Sequence, residues 1–288
     1  MAGGSYYVPH QAKWPIVGTI GLFVFFVGFA NLLNGASIGP TVLAGGTAIL
    51  VVMMFGWFGD VIRESEGGMY KKNEGMSFRM GMGWFIFSEV FFFAAFFGAL
   101  FYARQLALPW LSGEGAGATT QAILYPEFSF TWPNTANGPE AIGGQFEAMG
   151  AFGLPLINTL LLLTSGVTCT IAHHAIKEGK RKSMSMWLLA TVILGAIFLT
   201  LQVEEYAHAY NELNLTLESG IYGSTFFMLT GFHGFHVAMG TLMLFIVMIR
   251  GFRGHFTAEN HFAFEASAWY WHFVDVVWLG LYVFVYWL

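Results

Sequence analysis

The sequence predicts an all-α, polytopic membrane protein with seven transmembrane helices, and three observations predict it. Of 288 residues, 56% are hydrophobic and only 10% are charged, where a soluble domain carries about a quarter. Mean hydropathy is +0.60. Seven runs reach the ~20 apolar residues a helix needs to cross a hydrocarbon core. With the N-terminus inside, all basic residues except Arg104 fall on the inner side, as cytoplasmic loops require. An odd number of spans then puts the C-terminus outside.

The runs lie near residues 14–34, 41–62, 76–107, 147–176, 184–210, 219–250 and 261–288. The first is too long for the apolar core of a signal peptide and has no small-x-small cleavage pattern, so it reads as a retained helix. The third and sixth are long enough that tilt, or extension beyond the hydrocarbon, is expected. The stretch from Asp60 to Asn73 holds most of that side's charges and two glycines, and it places an inner linker at about 63–75. Two helices (about 14–62) followed by five (about 76–288) is therefore the expected subdivision of a single membrane domain, 1–288. The outer stretch 109–146 contains Pro109, Pro126, Pro133 and Pro139 among many glycines, and no regular structure is expected there.

Charge and cysteine content exclude several functions. A net charge of -5 without a basic cluster gives nucleic acid no footprint. The single cysteine, Cys169, excludes a disulfide within the chain and any multi-cysteine zinc or iron–sulfur site.

The remaining polar residues stand out because they lie inside apolar runs. Glu89 sits in Phe85-Ile-Phe-Ser-Glu-Val-Phe-Phe-Phe93 with no neutralising neighbour. Holding a charge there costs at least roughly 2–3 kcal/mol. The ordinary reading is a neutral carboxyl bonded to a nearby helix or through Ser88; the alternatives are proton handling or a lipid contact. In the last run, Glu265, His272 and Asp275 fall within about 80° on one helical face, so they must face other helices. His233 and His236 lie in the sixth run. Fourteen residues back from Arg250 is His236, and fourteen forward from His261 is Asp275. At that equal depth a His236–Asp275 hydrogen bond is expected, or one through His233, with Gly231 and Gly234 allowing close approach. A polar lock between helices and a metal-binding pair are both compatible with this spacing. A haem ligand would need an open pocket that spacing alone does not define.

Other groups carry weaker signals. Glu205-x-x-His208 has the spacing of carboxylate di-iron bundles, but no second copy exists, and with Glu204 it reads as a helix end. Trp57 and Arg63 suit an interfacial contact with an anionic lipid head group, as does Arg250. His10, His173, His174, His255 and His261 would collect at the inner surface, where imidazoles exchange protons near neutral pH.

Six stretches then carry a resemblance: Asp60–Glu64, Ser88–Val90, Ala172–His174, Tyr222–Phe227, Gly231–His236 and Trp269–Trp278. Together they resemble subunit III of cytochrome c oxidase, in the haem–copper terminal oxidase family. The resemblance implies a two-plus-five, V-shaped bundle with phospholipid in its cleft, and no cofactor bound by this chain. It implies haems and copper in partner subunits I and II, and cytochrome c as electron donor to the complex. It further implies that Glu89 matches the family's buried carboxylate, and that Trp57, Arg63, Phe85 and Arg250 fall where lipid is contacted. A length of 109–146 beyond that of mitochondrial members points to a bacterial plasma membrane, with the mitochondrial inner membrane as the alternative. The rival readings are a quinol oxidase subunit III, a proton-coupled transporter and a membrane metalloenzyme. Helices one and two and the Trp-rich last run argue against the first, and the absence of internal repeats against the second.

Overall fold

The computed structural model describes residues 6–8, 12–133 and 145–287. Among these residues all regular structure is helical: α1 (Trp14–Leu33), α2 (Gly39–Glu66), α3 (Lys72–Tyr102), α4 (Leu108–Leu111), α5 (Ala118–Leu124), α6 (Leu154–Lys177), α7 (Arg181–Asn211), α8 (Gly220–Phe252) and α9 (Phe262–Leu281). Seven spans among the described residues are long and apolar enough to cross a membrane, as expected. The third is longer than its apolar run. A π turn at Ala103–Ala107 carries α3 into α4, giving one helical span over Lys72–Leu111. Pro109 follows this π turn inside the span, where a proline removes a backbone donor from the helical ladder.

The expectation of no regular structure over 109–146 needs correction. A 3-10 turn (Gly115–Gly117) leads into α5. Gly113 and Gly115 take positive φ (96° and 58°), which lets the chain turn sharply. The following Ala-Thr-Thr-Gln-Ala-Ile-Leu contains no helix breaker. Residues 134–144 lie outside the described residues.

Two compact units are present, one up to Met80 and one from Gly81 onward. Their boundary falls inside α3 rather than in the linker near 63–75. In the first unit, α1 and α2 meet backbone to backbone. A Cβ on Gly28 would lie 2.2 Å from the Leu43 nitrogen, one on Gly46 2.3 Å from the Phe25 nitrogen, and one on Gly39 2.5 Å from the Leu32 nitrogen. Small residues allow this approach, and dispersion across it replaces the hydrophobic drive that lipid removes. Gly46→Leu should therefore force the hairpin apart, costing about 1–3 kcal/mol or more. Cross-linking between cysteines placed on α1 and α2 would register it as a lost cross-link.

The ends of this unit are tied by polar contacts. The Trp14 indole lies over Gly56 and donates to Asp60 Oδ2 at 2.6 Å, and Asp60 also pairs with Arg63. The Tyr7 nitrogen donates to Glu74 Oε1 (2.6 Å), while the Tyr7 and Tyr70 hydroxyls donate to the two oxygens of Glu64 (3.2 and 2.5 Å). Desolvation, and then the bond to Glu64, raise both tyrosines above the ordinary phenol value. A group with a raised native value stabilises fully below its unfolded value and loses that contribution as pH rises through the native one. The strap is thus expected to hold at neutral pH and to loosen only above the ordinary tyrosine range, about pH 10. A spin label on Tyr6→Cys should stay immobile to that point. Tyr70→Phe should mobilise it at neutral pH.

In the second unit, α6 to α9 form an antiparallel series in which α6 also meets α9. Its centre is Trp271, fully buried. A Cβ on Gly195 or Gly240 would lie 2.8 Å from the Trp271 ring, so the indole fills a slot made by two glycines. Its Nε1 donates to Ser165 Oγ at 2.9 Å, and about two turns on, Trp278 Nε1 donates to Thr159 Oγ1 at 2.9 Å. Apolar bodies thus fill the core while each indole N–H is satisfied. α3 joins this unit through aromatic rings, Phe92 on Phe232 (5.0 Å between centroids) and Phe93 on Phe273 (6.1 Å).

Candidate functional site

Those aromatic contacts of α3 bring Glu89 to α8. Glu89 Oε2 lies 2.8 Å from His236 Nε2, and His236 Nδ1 lies 2.6 Å from the Phe232 carbonyl oxygen. A carbonyl only accepts, so Nδ1 carries a proton. The Glu89–His236 contact then needs one further proton, held by the carboxyl as a neutral pair or by the ring as an ion pair. The arrangement can hold one proton at that point. The His236 side chain is 8% exposed and that of Glu89 21%. Ser88 does not take part; its hydroxyl donates to the Phe85 carbonyl oxygen.

This pair lies in the wall of a groove of about 410 Å³ within the second unit. Phe85, Phe92, Phe232, Phe235, Met239, Met243 and Tyr270 supply the rest of the lining. Phe85 stacks on Tyr270 with centroids 6.1 Å apart. One polar pair among aromatic and thioether side chains suits an apolar occupant with at most one polar anchor.

The expected His236–Asp275 bond is not formed. His233 Nε2 donates instead to the Val274 carbonyl oxygen of α9 (3.2 Å). Equal depth therefore located the right turn of α9, but the helical face of His236 turns toward α3. Asp275 and His272 face α6. A Cβ on Gly166 would lie 2.4 Å from Asp275 Oδ2. His272 Nδ1 is 3.5 Å from that oxygen, and its Nε2 is 3.2 Å from Thr170 Oγ1. The glycines differ too. Gly234 has open space where a Cβ would be, Gly231 approaches Tyr206 of α7, and Gly240 makes the close contact with α9. Glu265 opens α9, its nitrogen bonded to the His261 carbonyl oxygen.

The remaining predicted residues occupy separate places. Trp57 is half-exposed and stacks on Phe58. Arg63 is largely exposed beside Asp60. Arg250 is buried, with its guanidinium 4.7 Å from the Phe256 ring centroid, which is a packed position rather than an open cation. The His173 and His261 rings lie 5.4 Å apart; Glu178, just past the end of α6, is held below the usual carboxylate range by Lys180, 2.6 Å away. His10 lies outside the described residues. Glu205 is not at a solvated helix end: it is fully buried and accepts from the Tyr286 hydroxyl at 2.5 Å. Sequence reasoning missed it because its partner is 81 residues away.

Fold and site define an integral membrane helix bundle whose polar side chains pair one helix with the next, and among the described residues no three His, Cys, Asp or Glu gather as metal ligands. Comparison with known proteins gives the particular family. The family model for cytochrome c oxidase subunit III matches residues 4–113 and 122–288. Cytochrome c oxidase subunit 3 of Oryctolagus cuniculus is 39% identical over 284 residues, covering 98% of this chain and 97% of the relative. Those of Formosania lacustris and Gadus morhua are 40% identical over the same shares. The chain belongs to the cytochrome c oxidase subunit III family.

Proposed function

We propose that this chain is a non-redox subunit of a proton-pumping cytochrome c oxidase, bound to subunits I and II, and that it stabilises the catalytic subunit by holding phospholipid. Haems and copper then lie in those partners, cytochrome c supplies electrons, and oxygen is reduced to water. The groove beside Glu89 and His236 is the observation that carries the lipid reading. Its lining suits an acyl chain; as a separate contact, Trp57 and Arg63 have the exposure that binding an anionic head group requires. Arg250, packed on Phe256, is not included in that role. The inner histidines, His173 and His261 among them, would assist proton collection. The membrane is the plasma membrane of a bacterium or, as the alternative, the mitochondrial inner membrane.

Filling the groove tests the reading. Met239→Trp should lower the phospholipid retained per oxidase and shorten the enzyme's working life during turnover, with the initial rate unchanged. Unchanged phospholipid content would remove the groove from the argument; an initial rate that vanished at once would remove the supporting role. The related reading, a quinol oxidase subunit, is decided by assaying the complex with cytochrome c and with quinol.

A further inference from the structure

A second polar centre lies in the same unit, away from the groove, where α6, α7, α9 and the π turn that follows α9 (Tyr282–Trp287) converge. Thr168 of α6 and Thr191 of α7 are hydrogen-bonded at 2.8 Å, which sets the register of these antiparallel helices. Ten residues from Thr168 toward the start of α6 is Asn158; eleven from Thr191 toward the end of α7 is Gln202. The two therefore share a depth. At about 100° per residue, Gln202 falls on the α6-facing side of α7. Asn158 falls between the direction of Thr168, toward α7, and that of Thr159, which binds Trp278 of α9.

Glu205 lies one turn beyond Gln202. Gln202 is against both Glu205 and Tyr286 but makes no well-formed hydrogen bond to either. Asn158 and Glu205 are fully buried, and Gln202 is 5% exposed. Both polar atoms of Asn158, both of Gln202 and Oε2 of Glu205 have no hydrogen-bond partner in the protein. Buried groups of this kind are nearly always satisfied, and several orphaned atoms at one depth point to a shared partner.

We propose that Asn158, Gln202 and Glu205 form a binding site for ordered water, which joins α6, α7 and α9 at this end of the bundle. The mixture of unpaired groups selects the ligand. Each amide presents an N–H that must donate and an oxygen that must accept. A sodium or potassium ion would engage the oxygens and leave the N–H groups unsatisfied, whereas water both donates and accepts. The Tyr286 hydroxyl occupies the other Glu205 oxygen, which leaves Oε2 as the acceptor available to the site.

The test uses the purified oxidase containing this chain. Infrared spectra are recorded in ordinary water and in H2 18O, since the protein's own hydroxyls and amides do not exchange oxygen. An O–H band that shifts with 18O in the wild type and is lost in both Asn158→Leu and Gln202→Leu is the expected result. Equal 18O-sensitive spectra in wild type and variants would overturn the proposal. So would variant differences confined to isotope-insensitive amide bands, the sign of a direct Asn158–Gln202 pair. Should the variants fail to assemble, a high-resolution map of the wild-type complex decides. Density within hydrogen-bond reach of both amides and Glu205 supports the site. Direct side-chain contact, or oxygen-only coordination at the shorter distances of a cation, refutes it.

Discussion

His236→Leu is expected to cost about 3 kcal/mol of bundle stability, read as loss of this chain from the oxidase at a lower detergent concentration or temperature. The change leaves Glu89 facing an aromatic groove with its only hydrogen-bond partner among the described residues gone. Removing one member of a buried charged or proton-sharing pair costs about 3–5 kcal/mol. The residual exposure of Glu89 places this case at the lower end. Leu at both positions should recover most of the loss, because an apolar pair demands no proton and no partner. Glu89→Gln is the milder probe, since an amide can still donate to the free Nε2 of a neutral His236 ring. Should the double variant prove as unstable as the single one, the penalty would lie in packing and not in the orphaned carboxyl.

Trp271→Ala should be at least as damaging, at about 3–5 kcal/mol. The indole is fully buried, fills the slot between Gly195 and Gly240, and satisfies Ser165. Deletion leaves a cavity lined by helix backbones that are already in register and have little room to collapse. Trp271→Phe keeps much of the volume but loses the N–H bond and part of the ring. Its cost should exceed about 1 kcal/mol and stay below that of the alanine variant. Retention of this chain during purification, compared across the two variants, separates the cavity from the hydrogen bond. Equal effects would show that the bond to Ser165 dominates.

Several features of this protein were legible along the chain. The seven spans follow from run length and from the placement of basic residues, both local quantities. The Trp-rich last run and the Gly-Phe-His-Gly-Phe-His stretch named the family before any geometry was available. The seven-residue spacings Gly21/Gly28 and Gly39/Gly46 also lay in plain view, each keeping its two glycines on nearly one helical face. They mark the seam between α1 and α2.

What sequence order alone determined, then, was which segments cross the membrane and which side chains are too polar to face lipid. Which partner each of those side chains takes was decided by the tertiary structure. Helical periodicity fixes angles within one helix, and equal depth follows from counting, but neither sets how far a helix is rotated against its neighbours. That rotation turned His236 toward Glu89 rather than Asp275, set Asp275 against Gly166, and buried Glu205 beneath Tyr286. It depends on the summed packing of large side chains such as Trp271 and Trp278 against small ones many residues away.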